Sequence, residues 1–194
     1  MQQPTVEKNP GDILFADDFT VSPNGWGTMD REGGRITFEY SGLVIGVDLT
    51  DFMFWTVNGD EFADTRIDVD AVLLDGPTND NFGVICRYQD DENYYGFLVS
   101  HDGYYGIFKK QAGSIVMANA SGDLQFSESI RQGGNVNHIS AVCHGSRLKL
   151  SVNEAVLAEV EDETFTSGKI GLFAGAYEHP DVEVLFDNLL VTQP

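Results

Sequence analysis

The chain has 194 residues, with 31 acidic side chains against 11 lysines and arginines and a formal net charge of -20. That length suits one all-β domain with a substantial core. The acids are scattered rather than blocked, a distribution that keeps a protein dispersed and repels nucleic acid and anionic membrane surfaces. No run is long and apolar enough to span a bilayer, and Met1-Gln2-Gln3-Pro4-Thr5 lacks the charged-then-apolar order of a signal segment. An opening of this kind also fits a chain trimmed of a signal peptide or lipoprotein leader.

Residues 1–12 hold two prolines and little apolar content, which predicts a flexible tail, with a single domain over 13–194. Ile13-Leu14-Phe15 and Asp17-Asp18-Phe19 predict a first strand, and Pro23-Asn24-Gly25-Trp26-Gly27 a loop. Strands are then predicted over 35–40, 43–47, 52–57 and 65–74. In the last of these Ile67, Val69 and Ala71 share one face and Arg66, Asp68 and Asp70 the other, so one side is buried and the other wet.

From Phe82 to Met117, apolar runs are separated only by Asp91-Glu92-Asn93, His101-Asp102-Gly103 and Gln111-Ala112-Gly113, the pattern of consecutive β-hairpins. Tyr94-Tyr95-Gly96 recurs as Tyr104-Tyr105-Gly106. Alternation sends one ring of each pair to the core and the other outwards, with Tyr94 and Tyr104 assigned outwards. A one-residue slip in register would exchange them for Tyr95 and Tyr105.

Residues 121–137 look irregular, with a short helical turn near 127–131, and strands return over 138–144, 147–153, 155–160, 169–174 and 182–191. About a dozen strands with turns at short intervals predict a two-sheet antiparallel β-sandwich of jelly-roll type. Cys86 and Cys143 both lie in apolar strand runs. Buried thiols and a disulfide are equally open readings of the residues.

The runs Phe82 to Asp90, Asn93 to Phe97, Asp102 to Tyr105, Leu148 to Asn153, Gly168 to Leu172 and Val184 to Val191 follow one another in a familiar order. Over nearly all of 13–192 the chain resembles the concanavalin A-like lectin and glucanase superfamily, in particular laminin-G-like jelly rolls of bacterial exported proteins and the related 3-keto-glycoside-acting domains. The resemblance implies a Cys86–Cys143 disulfide, because related modules carry both cysteines in these settings, and with it an extracellular or periplasmic location. It specifies fold better than function.

Glycosidases of this superfamily place two acids on one strand face, about 5 Å apart in retaining enzymes, under a Glu-X-Asp-X-Glu signature. The nearest approaches are Arg66-Ile67-Asp68-Val69-Asp70 and Glu159-Val160-Glu161-Asp162-Glu163, and neither matches. The Gly83 to Arg87 strand resembles the Gly-X-X-X-Arg strand of the 3-keto-glycoside group, but the next strand offers Tyr94, Gly96 and Leu98 where those proteins present an acid. Arg87 is left as a donor to a sugar hydroxyl or carboxylate, or as the partner of a surface acid. His101, His138, His144 and His179 are read as surface or edge positions without a nucleophile beside them.

These readings lead to a non-catalytic module that binds carbohydrate or a protein partner through its concave sheet, as a monomer, with Trp55, Arg87, Tyr94 and Tyr104 as ligand-binding residues. A glycoside hydrolase or lyase and a structural or protein-interaction domain are the alternatives. Structural calcium is the one cofactor considered. In many related jelly rolls it joins the first and last strands, where Asp17, Asp18 and Asp187 would supply oxygen ligands; exposed acids in an acidic protein are the plain alternative.

Overall fold

Short runs of β-branched and aromatic residues, broken by Gly, Asn and Asp, fold here into sixteen strands, with no helix among the described residues. The computed structural model describes residues 9–21, 24–119 and 121–194. The strands are β1 (Ile13–Asp17), β2 (Met29–Arg31), β3 (Gly34–Glu39), β4 (Gly42–Val47), β5 (Phe52–Phe62), β6 (Thr65–Asp75), β7 (Asn81–Asp90) and β8 (Asn93–Ser100). They continue as β9 (Tyr104–Gln111), β10 (Ser114–Met117), β11 (Gln125–Phe126), β12 (Asn137–His144), β13 (Arg147–Val152), β14 (Ala155–Glu161), β15 (Gly168–Ala176) and β16 (Val182–Thr192).

All pairings are antiparallel. Nine strands form one sheet in the order β14-β13-β12-β6-β16-β4-β3-β2, with β1 also on β16, and seven form the other in the order β10-β9-β8-β7-β15-β5, with β11 on β9. The two sheets make the sandwich that the strand pattern predicts. Along β6, Ile67, Val69 and Ala71 face the core as expected. They meet Phe82, Val84, Tyr95, Phe97 and Leu172 of the other sheet in one apolar cluster that also takes in Phe186 and Val191.

The predicted tail falls mostly on residues 1–8, outside the described residues. Beyond them, the Gly11 amide donates to the Gln193 carbonyl and the Gln193 amide to the Asp12 carbonyl. The helical turn predicted near 127–131 is a single hydrogen-bonded turn, Ile130 N–H to the Ser127 carbonyl, which buries Ile130. Strands β2 and β11, of three and two residues, were too short for periodicity to reveal.

Cys86 of β7 and Cys143 of β12 are disulfide-bonded across the sandwich. Next to the bridge the β7 register shifts, and Arg87 takes a left-handed φ of 50°. The shift breaks strand alternation, so Arg87 turns into the end of the sandwich instead of out over the sheet. Its guanidinium donates to the carbonyls of Ala63 (3.0 Å), Gly145 and Phe165 (2.8 Å each), and to the Asp64 carboxylate at 3.2 Å. With its side chain 1% exposed, Arg87 is a clamp between loops and is closed to an external ligand, which corrects the ligand-donor expectation.

Candidate functional site

The outer face of the seven-stranded sheet is built from two cross-strand rows in which glycines alternate with large side chains. One row runs Trp55, Phe173, Gly83, Leu98, Gly106; the next runs Val57, Gly171, Ile85, Gly96, Phe108. Two of these glycines make room for a neighbouring side chain. A Cβ on Gly96 would lie 2.1 Å from the Phe108 ring and one on Gly106 2.3 Å from Met117 Cε, so these side chains pack over bare backbone. The result is a second apolar layer outside the main core, in which Ile85, Tyr94, Phe108 and Phe173 are buried beneath Met53, Trp55, Tyr88, Leu98 and Met117.

The predicted tyrosine faces agree with the structure. Tyr95 and Tyr105 enter the core cluster, while Tyr94 and Tyr104 lie on the outer side. Their exposure differs sharply: Tyr104 is 43% exposed, whereas Tyr94 is 0% exposed. Tyr94 is therefore a floor under the platform, packed against Tyr88 (5.8 Å between centroids), Trp55 (6.4 Å) and Phe108 (6.1 Å). Burial raises the pKa of its hydroxyl well above the usual tyrosine range, and no acceptor or donor reaches that oxygen among the described residues. Trp55 is half-buried, one of the partly accessible members of the cluster with Met53, Tyr88, Leu98 and Met117.

Two participants were missed in the sequence. Lys110 sits over both rings, 5.4 Å from Trp55 and 5.6 Å from Tyr94, an arrangement that attracts the ammonium to the ring faces. It stands opposite Tyr94 in the β8–β9 ladder, a placement that an exact register through His101-Asp102-Gly103 would have shown. Tyr88 bonds the Asp91 carboxylate, and burial first, then that bond, pushes its pKa up to about 12. Both hydroxyls on this platform are thus neutral donors or acceptors at ordinary pH.

Both acidic segments weighed as catalytic signatures lie on the other sheet. Arg66 forks onto Asp68 at 2.8 and 3.0 Å, His138 Nδ1 meets Asp70 at 2.8 Å, and Glu159 pairs with Arg147 at 2.8 Å. Of the four histidines, His101 departs from its predicted surface position. It is fully buried, stacks on Phe82 with centroids 4.1 Å apart, and accepts the Leu73 amide on Nε2 at 3.0 Å.

The oxygen donors considered for calcium divide. Asp17 and Asp18 line a hollow of about 720 Å³ beside Asn24, Asn188 and Leu189, at the junction of β1 and β16. Asp17 Oδ1 accepts the Phe19 amide, while its buried Oδ2 has no partner. Asp187 does not line the hollow. The β16 register shifts there, Asn188 takes a left-handed φ of 54°, and the Asp187 carboxylate caps the Asn188 amide. A buried, unpaired carboxylate oxygen beside a second acid and an amide suits a hard cation, although no group of three acids, histidines or cysteines of metal-holding geometry occurs among the described residues.

No family model matches the chain, and no curated protein matches its sequence. Solved structures do match. The carbohydrate-binding module CBM66 from Bacillus subtilis superposes with a TM-score of 0.69 over 87% of this chain and 96% of its own, at 18% identity. The Bacillus licheniformis beta-glucanase superposes with a TM-score of 0.68 over 95% and 99%, at 8% identity. The GH43 protein BlXynB of Bacillus licheniformis gives 0.68 over 98% of this chain and 41% of its own, at 12% identity. At such identities the likeness bears on fold alone, and it spans a binding module and glycoside hydrolases. The architecture of this chain is a two-sheet antiparallel β-sandwich of jelly-roll type, the fold that these structures share.

Proposed function

We propose that the chain is a non-catalytic module that binds carbohydrate on the outer face of its seven-stranded sheet. The observation that carries this reading is the accessible Trp55 ring backed by Tyr88, Tyr94 and Lys110. Sugar C–H faces stack on such rings while flanking polar groups take the hydroxyls. Both acidic segments that approach a glycosidase signature lie on the opposite sheet in ion pairs, which favours binding over hydrolysis. CBM66 among the structural neighbours points the same way. The disulfide suits an exported module, since such bridges persist in oxidising compartments.

Asp17 and Asp18, with Asn24 beside them, would hold a structural calcium that ties β1 to the turn in β16. The cation would supply no chemistry to the distant Trp55 platform. Thermal melts with calcium and with a chelator test the metal, which should raise the midpoint, and a glycan-array screen of the purified chain tests the binding. Binding that is lost on Trp55→Ala supports the module. A blank array removes carbohydrate for the sugars tested and favours a protein partner, and cleavage of a bound oligosaccharide would overturn the non-catalytic reading.

A further inference from the structure

The Trp55 platform does not exhaust the outer face. Towards the start of β7 the sheet dips into a cleft of about 330 Å³, walled by Tyr104 on one side and Tyr177 on the other. Asn81 of the lining lies opposite Gly175 in the β7–β15 ladder, and a Cβ on Gly175 would stand 2.6 Å from Asn81 Oδ1, so the glycine leaves that side chain its place. Tyr104 and Tyr177 are 43% and 58% exposed, and the backbone of each is tied to the fold.

The Tyr177 amide donates to the buried Asp80 carboxylate at 2.7 Å, and its carbonyl accepts the Asp51 amide at 3.2 Å. The Tyr104 amide donates to Ser100 Oγ at 3.1 Å, and its ring meets Phe126 edge-on at 5.6 Å. The Tyr104 ring is thus held by its neighbour and Tyr177 by its backbone, so both present apolar area from fixed points of the fold. Between them, the Asn81 side-chain amide has no hydrogen-bond partner among the described residues. Asp102 takes the Ser100 hydroxyl on Oδ1, and its Oδ2 makes no hydrogen bond among the described residues. Leu98 and Leu124 complete the apolar lining.

The charge around the cleft is one-sided. Asp102 lies in the wall and Glu178 follows Tyr177, while no lysine or arginine lines it. A carboxylate or sulfate on a ligand would face fixed negative charge without a counter-ion, inside a chain of net charge -20. An uncharged polyol meets no such penalty, and its hydroxyls match the acceptor on Asp102 and the donors and acceptor of Asn81.

Resting on the carbohydrate-binding reading above, we propose that this cleft is a subsite for one uncharged sugar unit, stacked by Tyr104 and Tyr177 and hydrogen-bonded by Asn81 and Asp102, so that the ligand is a neutral glycan.

The test is calorimetric titration of the full chain with neutral gluco-, manno-, galacto- and xylo-oligosaccharides, and with polygalacturonate and chondroitin sulfate. The proposal expects binding within the neutral set alone. Tyr177→Ala and Asn81→Ala should each weaken it at least tenfold with an unaltered thermal melt, Tyr177→Phe should leave it within twofold, and Asp102→Asn should reduce the discrimination against the acidic polymers. Preference for an acidic polymer, or wild-type affinity in both Tyr177→Ala and Asn81→Ala, overturns the subsite. Neutral-sugar binding that survives Tyr177→Ala and is lost in Trp55→Ala overturns the cleft while sparing the platform. No binding to any member of either set overturns both.

Discussion

The Tyr95 phenol donates to the Asp162 carboxylate at 2.5 Å while its oxygen accepts the Phe165 amide at 3.0 Å, tying β8 to the loop that follows β14. Asp162 also takes Lys109 Nζ at 2.6 Å and the Thr164 amide at 2.8 Å. Tyr95→Phe strands the Phe165 amide and removes one of these donors. The expected loss is about 1–3 kcal/mol, read as a lower urea midpoint at unchanged slope; an unchanged midpoint would contradict the role. Burial alone would raise the Asp162 pKa, but the bonds from Lys109, Thr164 and Tyr95 outweigh it and hold the carboxylate below its usual range. Because the folded value lies below the unfolded one, this stabilisation is present above the ordinary value of 3.8 and is lost as the pH falls below it.

Arg87 donates to three backbone carbonyls and to Asp64 from a site shut off from solvent. Lysine cannot reproduce that planar fork. Arg87→Lys should destabilise the chain by about 3 kcal/mol, within the range seen when one partner of a buried charged network is lost. Guanidinium unfolding measures it. A loss under about 0.5 kcal/mol, the usual range for a surface substitution, would show that the clamp is dispensable.

The stability of the chain should fall on mild acidification through His101. Burial lowers its pKa from 6.5 to about 4, and protonating Nε2 would expel the Leu73 amide that donates to it. The folded value is below the unfolded value, so the unfolded chain binds the extra proton. The contribution is complete above the unfolded value and is lost progressively as the pH drops from 6.5 towards 4. The two values imply about 3 kcal/mol across that window. Urea midpoints measured from pH 7 to 4 should show the slope in the parent and lack it in His101→Gln; equal slopes would rule His101 out.

Gly96→Ala places a methyl where the Phe108 ring lies. Displacing the ring overpacks the outer layer, at a cost of about 1–3 kcal/mol, and should disturb Tyr94 beneath it. The measurement pairs thermal melts with titration of whichever oligosaccharide the parent binds. Full stability together with full affinity would mean that the ring has room to move.

The strand alternation of β6, β12 and β13 was legible because one face is apolar and the other polar, a pattern that one residue of slip would invert. The Tyr94-Tyr95 and Tyr104-Tyr105 faces followed from the same rule. It failed at Arg87 and Asp187 for one reason: backbone in the left-handed region at Arg87 and at Asn188 interrupts alternation, and neither residue advertises that conformation as glycine does. Tyr94 was placed on the correct side yet misjudged as exposed, because its cover comes from Trp55, Tyr88 and Phe108 on three other strands. Tyr177 had no local signal at all; its value as a cleft wall depends on Asp80, 97 positions earlier in the chain.

Cys86 and Arg87 rivet one pole of the sandwich, the first covalently to Cys143 and the second to Gly145 and Phe165. At the other pole His101 makes a tie, accepting the Leu73 amide on Nε2 and the Gly133 amide on its carbonyl while its ring packs on Phe82. The two sheets are therefore stapled together along one margin, as pages are along a spine. Tyr104 and Tyr177 stand at the opposite margin, so the cleft between them is built at the end of the sandwich that carries neither the covalent bridge nor the guanidinium clamp.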